Sequence, residues 1–199
     1  MSPATRRGLL VFLLGAALIV GAVALDYWWS RDAGEGGLAA VVVGGPFTLT
    51  DQTGAVRHDS DFRGKLMLVY FGYTYCPDAC PAALGTMSAA LDRLGAAGAA
   101  VQPIFITLDP ARDTVAQMKS YAANFAPQLV ALTGSDAEVA TVARSYRVFY
   151  QKVRGSNADD YTLDHTSLVY LMGRDGKYLA HFLPDATADQ MAAAIKQHL

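Results

Sequence analysis

A continuous apolar run, Leu66 to Phe71, gives way to Gly72-Tyr-Thr-Tyr and then to Cys76-Pro-Asp-Ala-Cys80-Pro. An unbroken apolar run of this length suits a strand buried on both faces, which requires covering layers above and below. After Cys80, Ala82 to Leu94 has helical periodicity and strong helix formers, and Gly95 ends it. The two thiols therefore lie where a strand turns into a helix. There the helix dipole and free N–H groups favour thiolate over thiol. Pro77 and Pro81 lack a donor, which is tolerable only before or within the first helical turn. This leaves Cys76 in the loop, with Cys80 opening the helix.

The rest of the chain fits around that junction. Phe47-Thr-Leu-Thr and Ala55-Val-Arg-His read as a small hairpin. Val101 to Leu108 is a second buried strand, and Asp113 or Thr114 can cap a helix running to about Phe125. Leu129 to Leu132 reads as a short strand, and Ser135 or Asp136 caps a helix to Tyr146. Val148 to Val153 is a further candidate strand. Ser167–Met172 and Tyr178–Leu183 form a hairpin around Gly173-Arg-Asp-Gly, and Thr187 begins a final amphipathic helix. Strands alternating with helices, then a hairpin and a helix, predict an α/β sandwich with a mixed central sheet.

The first quarter does not belong to that pattern. Arg6 and Arg7 precede an uncharged run, Gly8 to Leu25, after which Asp26, Tyr27, Trp28 and Trp29 appear. Eighteen helical residues span roughly 27 Å, enough for a hydrocarbon core. Positive charge before the run and aromatics after it predict a membrane helix with its N-terminus in the cytoplasm. A cleaved signal peptide competes with this reading, because Ala22-Val23-Ala24 fits a small-residue cleavage site. Either way the following domain is exported. The predicted organisation is an N-terminal membrane anchor over 1–26, a glycine-rich flexible tether over 27–43 and one domain over 44–199. A formal net charge of -2 gives no electrostatic reason to expect nucleic acid as a partner.

The chain has 2 cysteines, Cys76 and Cys80. A structural disulfide normally staples distant segments, and this pair closes too short a loop to stabilise much. Redox dithiols of the thioredoxin kind have two intervening residues; here Pro77, Asp78 and Ala79 intervene. Two soft thiolates suit a thiophilic metal, with copper foremost, and a third ligand must then come from elsewhere. Of the four histidines, His58, His181 and His198 read as surface residues. His165 lies in Leu163-Asp-His-Thr-Ser, a loop leading into the predicted central strand Leu168-Val-Tyr-Leu-Met. Thioredoxin-like folds carry a cis-proline loop there, facing the cysteine motif. This chain has Asp164-His165-Thr166 instead, so an imidazole can face the thiols. Asp164 is read as orienting His165, Tyr73 and Tyr75 as walls of the site, and Asp78 as a neighbour that could tune it. Asp109-Pro-Ala-Arg112-Asp113-Thr114 is read as a turn followed by a helix cap.

Across Gly44 to His181 the chain resembles the Sco/SenC family of copper proteins. The resemblance rests on Gly45-Pro-Phe, Phe62-Arg-Gly-Lys, Phe71-Gly-Tyr-Thr, Cys76-Pro-Asp-Ala-Cys80-Pro, Thr107-Leu-Asp-Pro-Ala-Arg-Asp-Thr and Tyr161-Thr-Leu-Asp-His-Thr. Cys-x-x-x-Cys-Pro alone is a weak signal, whereas the ordered set is specific. Tyr75 departs from the histidine common in relatives, a change that bears on metal capture but not on the ligand set. The resemblance implies a thioredoxin-like fold, an N-terminal anchor, and one copper, Cu(I) or Cu(II), held by Cys76, Cys80 and His165. It also implies a metallochaperone serving the dinuclear copper site of cytochrome c oxidase subunit II. The chain would sit in the bacterial inner membrane by a single pass, with its domain in the periplasm, and would be supplied by a copper-donor chaperone. The alternative is a thiol–disulfide oxidoreductase, with Cys76 and Cys80 as a redox pair acting on that subunit. A peroxidase lacks support in the residues, and structural zinc wants four ligands where three are evident.

Overall fold

The computed structural model describes residues 17–28, 42–155 and 161–199. From Val42 onward the chain is a unit of its own. It runs β1 (Thr48–Asp51), β2 (Val56–His58), β3 (Leu66–Gly72), α1 (Ala79–Leu94), β4 (Val101–Thr107), α2 (Val115–Ala122), β5 (Val130–Thr133) and α3 (Asp136–Ser145). Then follow β6 (Tyr150–Arg154), β7 (Tyr161–His165), β8 (Val169–Met172), β9 (Tyr178–Phe182) and α4 (Ala188–Lys196). Seven strands form one sheet in the order β2-β1-β5-β4-β3-β8-β9. β3 runs parallel to β4 and antiparallel to β8, so the sheet is mixed, as expected.

Every residue of β3 is buried, as its uninterrupted apolar sequence requires. Successive side chains leave opposite faces of the sheet. On one face Tyr70 stacks on Phe105 of β4, which in turn meets Tyr121 of α2. On the other, Phe71 meets Tyr146 at the end of α3 and Tyr170 of β8. α1 and α4 pack together, and Met87, Leu91, Met191 and Ile195 are among their buried side chains. Each such side chain removed from water contributes about 1.5–3 kcal/mol, so the layer over β3 is the core of the domain.

Local signals set the helix boundaries. Thr114 Oγ1 accepts from Gln117 N–H to open α2. Ser135 and Thr187 open α3 and α4 with reciprocal capping boxes to Glu138 and Gln190. α1 starts at Ala79, one residue before the Cys80 expected to open it. Pro81 is then its third residue, where no intrahelical donor is needed. Gly95 at its end has φ of 57°, the left-handed region that glycine tolerates best. The largest departure from expectation is β7. The segment ending in His165 is a strand, paired with β6 in a two-stranded ribbon apart from the main sheet.

Most of the predicted anchor and tether lies outside the described residues. Residues 17–28 are helical, and among the described residues no helix is long and apolar enough to cross a membrane.

Candidate metal centre

The site forms at the C-terminal end of β3. After Gly72 the chain turns, with Cys76 N–H donating to the Tyr73 carbonyl at 3.2 Å, and enters α1 with Asp78 as its N-cap. Cys80 is the second residue of α1 and fully buried, whereas Cys76 stays in the turn and is half-buried. Cys80 N–H, one of the free donors of the helix start, points at Cys76 Sγ at 3.4 Å. Both cysteines are free thiols. Gly72 is dictated by this packing: a Cβ there would stand 2.6 Å from Cys80 Sγ, 3.1 Å from the Phe105 ring and 3.2 Å from the Tyr70 ring.

The expectation that the helix terminus makes both sulfurs thiolates fails for Cys80. Burial pushes its pKa up to about 12, the neighbouring Cys76 adds to the rise, and the Tyr73 N–H and the Tyr70 hydroxyl do not reverse it. The dipole is outweighed because the sulfur faces the sheet rather than water. Tyr70 Oη–H lies 3.8 Å from Cys80 Sγ.

His165, the last residue of β7, brings Nε2 to 3.7 Å from Cys80 Sγ. Its Nδ1 is 3.1 Å from the Thr166 carbonyl. A carbonyl can only accept, so Nδ1 carries the proton and Nε2 turns its lone pair toward the sulfur. Burial also lowers the His165 pKa, against the opposing influence of the Thr166 carbonyl and Asp164, so the ring is neutral near pH 7. The rings of Tyr70 and Tyr73 meet it edge-on at 6.2 and 6.1 Å. Asp164 is exposed and makes no hydrogen bond to the ring; Thr166 does the orienting assigned to it. The second wall is Tyr70 rather than Tyr75, whose side chain is largely exposed. His58, His181 and His198 are exposed, as expected.

Cys80 and His165 are thus in contact, and Cys76 adjoins Cys80. Among the described residues no group of three or more His, Cys, Asp or Glu side chains already stands close enough to hold a metal ion. Of the two sulfurs, Cys76 is the one in a turn and only half-buried.

The Asp109–Thr114 segment does more than turn and cap. Asp113 is fully buried and accepts from Thr74 N–H at 3.0 Å, Thr74 Oγ1–H at 2.6 Å and Thr107 Oγ1–H at 2.6 Å. This ties the cysteine turn to the end of β4. Burial raises the Asp113 pKa despite those donors. Asp109, also buried, pairs with Arg112 Nε and accepts from Tyr161 Oη–H at 2.7 Å. The Asp-x-x-Arg-Asp spacing was the available signal, but what each buried carboxylate faces depends on where β4 ends against the sheet.

Comparison with known proteins fits this picture. The sequence matches the SCO1/SenC family over residues 36–199. The protein SCO1 homolog, mitochondrial, of Homo sapiens is 37% identical over 200 residues, covering 96% of this chain. The chain spans 65% of that relative's own length. The structure of ScoI from Bradyrhizobium japonicum with copper bound is 46% identical, with a TM-score of 0.74 over 79% of this chain and 99% of that one. BsSco, described as a member of the Sco family of cytochrome c oxidase assembly proteins in work on a disulfide switch, is 28% identical with a TM-score of 0.63. That match covers 79% of this chain and 93% of BsSco. The domain has the α/β thioredoxin-like fold of these structures, and the chain belongs to the SCO1/SenC family.

Proposed function

We propose that the protein is a copper metallochaperone of cytochrome c oxidase assembly that binds one copper through Cys76, Cys80 and His165. The observation that carries this is the Nε2 of His165 at 3.7 Å from Cys80 Sγ, on a ring whose Nδ1 stands 3.1 Å from the Thr166 carbonyl. Two sulfurs and one neutral imidazole are a soft donor set suited to Cu(I). The family resemblance supports the same set, and the copper-bound ScoI structure supports the ion.

Each donor has a separate part. Cys80 is buried, and the half-buried His165 stands 3.7 Å from its sulfur on a ring held by the Thr166 carbonyl. Cys76, half-buried in a turn, rotates to complete the site and is the sulfur a recipient's ligands can reach. Binding displaces the Cys80 proton, so capture is accompanied by proton release. Transfer then proceeds by stepwise ligand exchange, for which the dinuclear copper site of oxidase subunit II is the recipient we favour. An N-terminal anchor in the bacterial inner membrane, with the domain in the periplasm, would raise the local concentration of a recipient in the same membrane.

Anaerobic Cu(I) titration tests this. One equivalent should bind, with Cys76→Ala, Cys80→Ala and His165→Ala each weakening binding by about 100-fold or more. Unchanged affinity in His165→Ala would remove the imidazole from the ligand set.

A second reading has its own observation: a half-buried Cys76 beside a buried Cys80 resembles an attacking and a resolving thiol. In that role the pair gives two electrons and two protons to a recipient disulfide, yielding two recipient thiols and a Cys76–Cys80 disulfide. Turnover on a disulfide-bonded subunit II fragment, compared with insulin, separates this role from copper delivery.

A further inference from the structure

The two halves of the site come from elements that do not pair with each other. Cys76 and Cys80 follow β3 of the main sheet, while His165 ends a ribbon that belongs to neither edge of it. The β4–α2 loop bridges them. Its Asp113 holds the cysteine turn through Thr74. Four residues earlier, Asp109 N–H donates to Thr107 Oγ1 at 2.9 Å, and the Asp109 carboxylate takes the hydroxyl of Tyr161, the first residue of β7.

Arg112 closes this bridge. Its Nε pairs with Asp109, its Nη1 donates to the Tyr161 carbonyl at 3.1 Å, and its guanidinium lies 3.6 Å over the Tyr161 ring. The same guanidinium is 4.8 Å from the Tyr75 ring and 5.8 Å from the Tyr73 ring, both in the cysteine turn. One cation thus lies among aromatic faces from both halves of the site. A planar fork can satisfy Asp109 and the Tyr161 carbonyl together, whereas a lysine ammonium cannot. A second tie runs through Tyr73, whose ring meets that of His165 at the end of β7 edge-on at 6.1 Å. The Arg112 tie is the one that fixes the start of the strand.

We propose that Arg112 is a positioning residue that sets the reach of His165 toward the cysteines by clamping β7 to the cysteine turn. This rests on His165 being a copper ligand. Arg112 touches no donor atom and acts only through the ribbon.

The test is a double-mutant cycle with Arg112→Lys, which keeps a cation beside Asp109, and with Tyr161→Phe, which removes only the hydroxyl. Arg112→Lys should lower Cu(I) affinity about tenfold when His165 is present and add nothing in a His165→Ala background. Hydrogen exchange on the copper-free protein gives a readout independent of metal. Amides of Tyr150–Arg154 and Tyr161–His165 should exchange faster in Arg112→Lys, and those of β3 and β4 at unchanged rates. Tyr161→Phe should show the same pattern at smaller amplitude. Equal affinity losses in both backgrounds, or faster exchange throughout the sheet, would reduce Arg112 to an ordinary stabilising residue and overturn the proposal. So would wild-type affinity and exchange. If His165→Ala alone leaves affinity unchanged, the ligand assignment fails, and the proposal falls with it for a reason visible without any Arg112 variant.

Discussion

The cysteine half and the histidine half of this site are built differently. The cysteines follow β3, whose seven residues are all buried, Cys76 in the turn after it and Cys80 in the first turn of a sixteen-residue helix. His165 stands on a ribbon in which only Leu163 of β7 is buried and four of the five residues of β6 are exposed. The first half is part of the core and shares its stability. The second is held mainly by side chains: Arg112, Tyr73 and Tyr161. A carrier that must both grip and surrender an ion has use for that inequality, because one arm of the site can loosen without unfolding the other.

The strongest way to break the comparison is Asp113→Ala. It strands the Thr74 N–H and two hydroxyls in a buried place, which should cost about 3 kcal/mol in urea unfolding. Tyr161→Phe on the histidine side should cost only about 1 kcal/mol. Equal costs would mean that the ribbon is as much a part of the core as β3. Gly72→Ala comes next. Its methyl meets Cys80 Sγ, Phe105 and Tyr70, so overpacking of about 1–3 kcal/mol is expected, together with weaker Cu(I) binding. A fully stable variant would show the cysteine half to be more yielding than its burial implies.

The smallest effect sharpens the histidine side. Burial holds the folded His165 pKa below its ordinary 6.5. The unfolded chain therefore takes up this proton first as pH falls. The contribution of His165 to stability is complete above pH 6.5 and is lost progressively as pH falls through the lowered folded value. NMR titration of the ring in copper-free protein should place its midpoint below 6.5. A midpoint at 6.5 would mean that the ring is open to water and that Nε2 is not held toward Cys80.

Much of this was legible in the chain itself. The apolar run Leu66–Phe71, the prolines flanking the cysteines, and the Ser135 and Thr187 caps are local signals, and each produced its element within a few residues. β7 was hidden because Tyr161-Thr-Leu-Asp-His carries one buried apolar residue, too few to stand out as a strand, and its pairing partner is a strand of mostly exposed side chains. The inward turn of Asp113 was hidden for a similar reason. Asp109 and Asp113 look equivalent in sequence, and only the end of β4 decides what each one faces.

The sequence by itself determined which atoms are available: two thiols a helical turn apart at the mouth of a buried strand, and an imidazole where thioredoxin-like chains keep a proline. Tertiary structure decided their state and reach. Burial pushes the Cys80 pKa up against the pull of the helix dipole, the Thr166 carbonyl takes the Nδ1 side of His165, and a loop from β4 joins the two halves. Spacing along the chain fixes what can be brought together over short distances. Desolvation and long-range packing depend on what surrounds an atom after folding, and no local stretch of sequence contains that information.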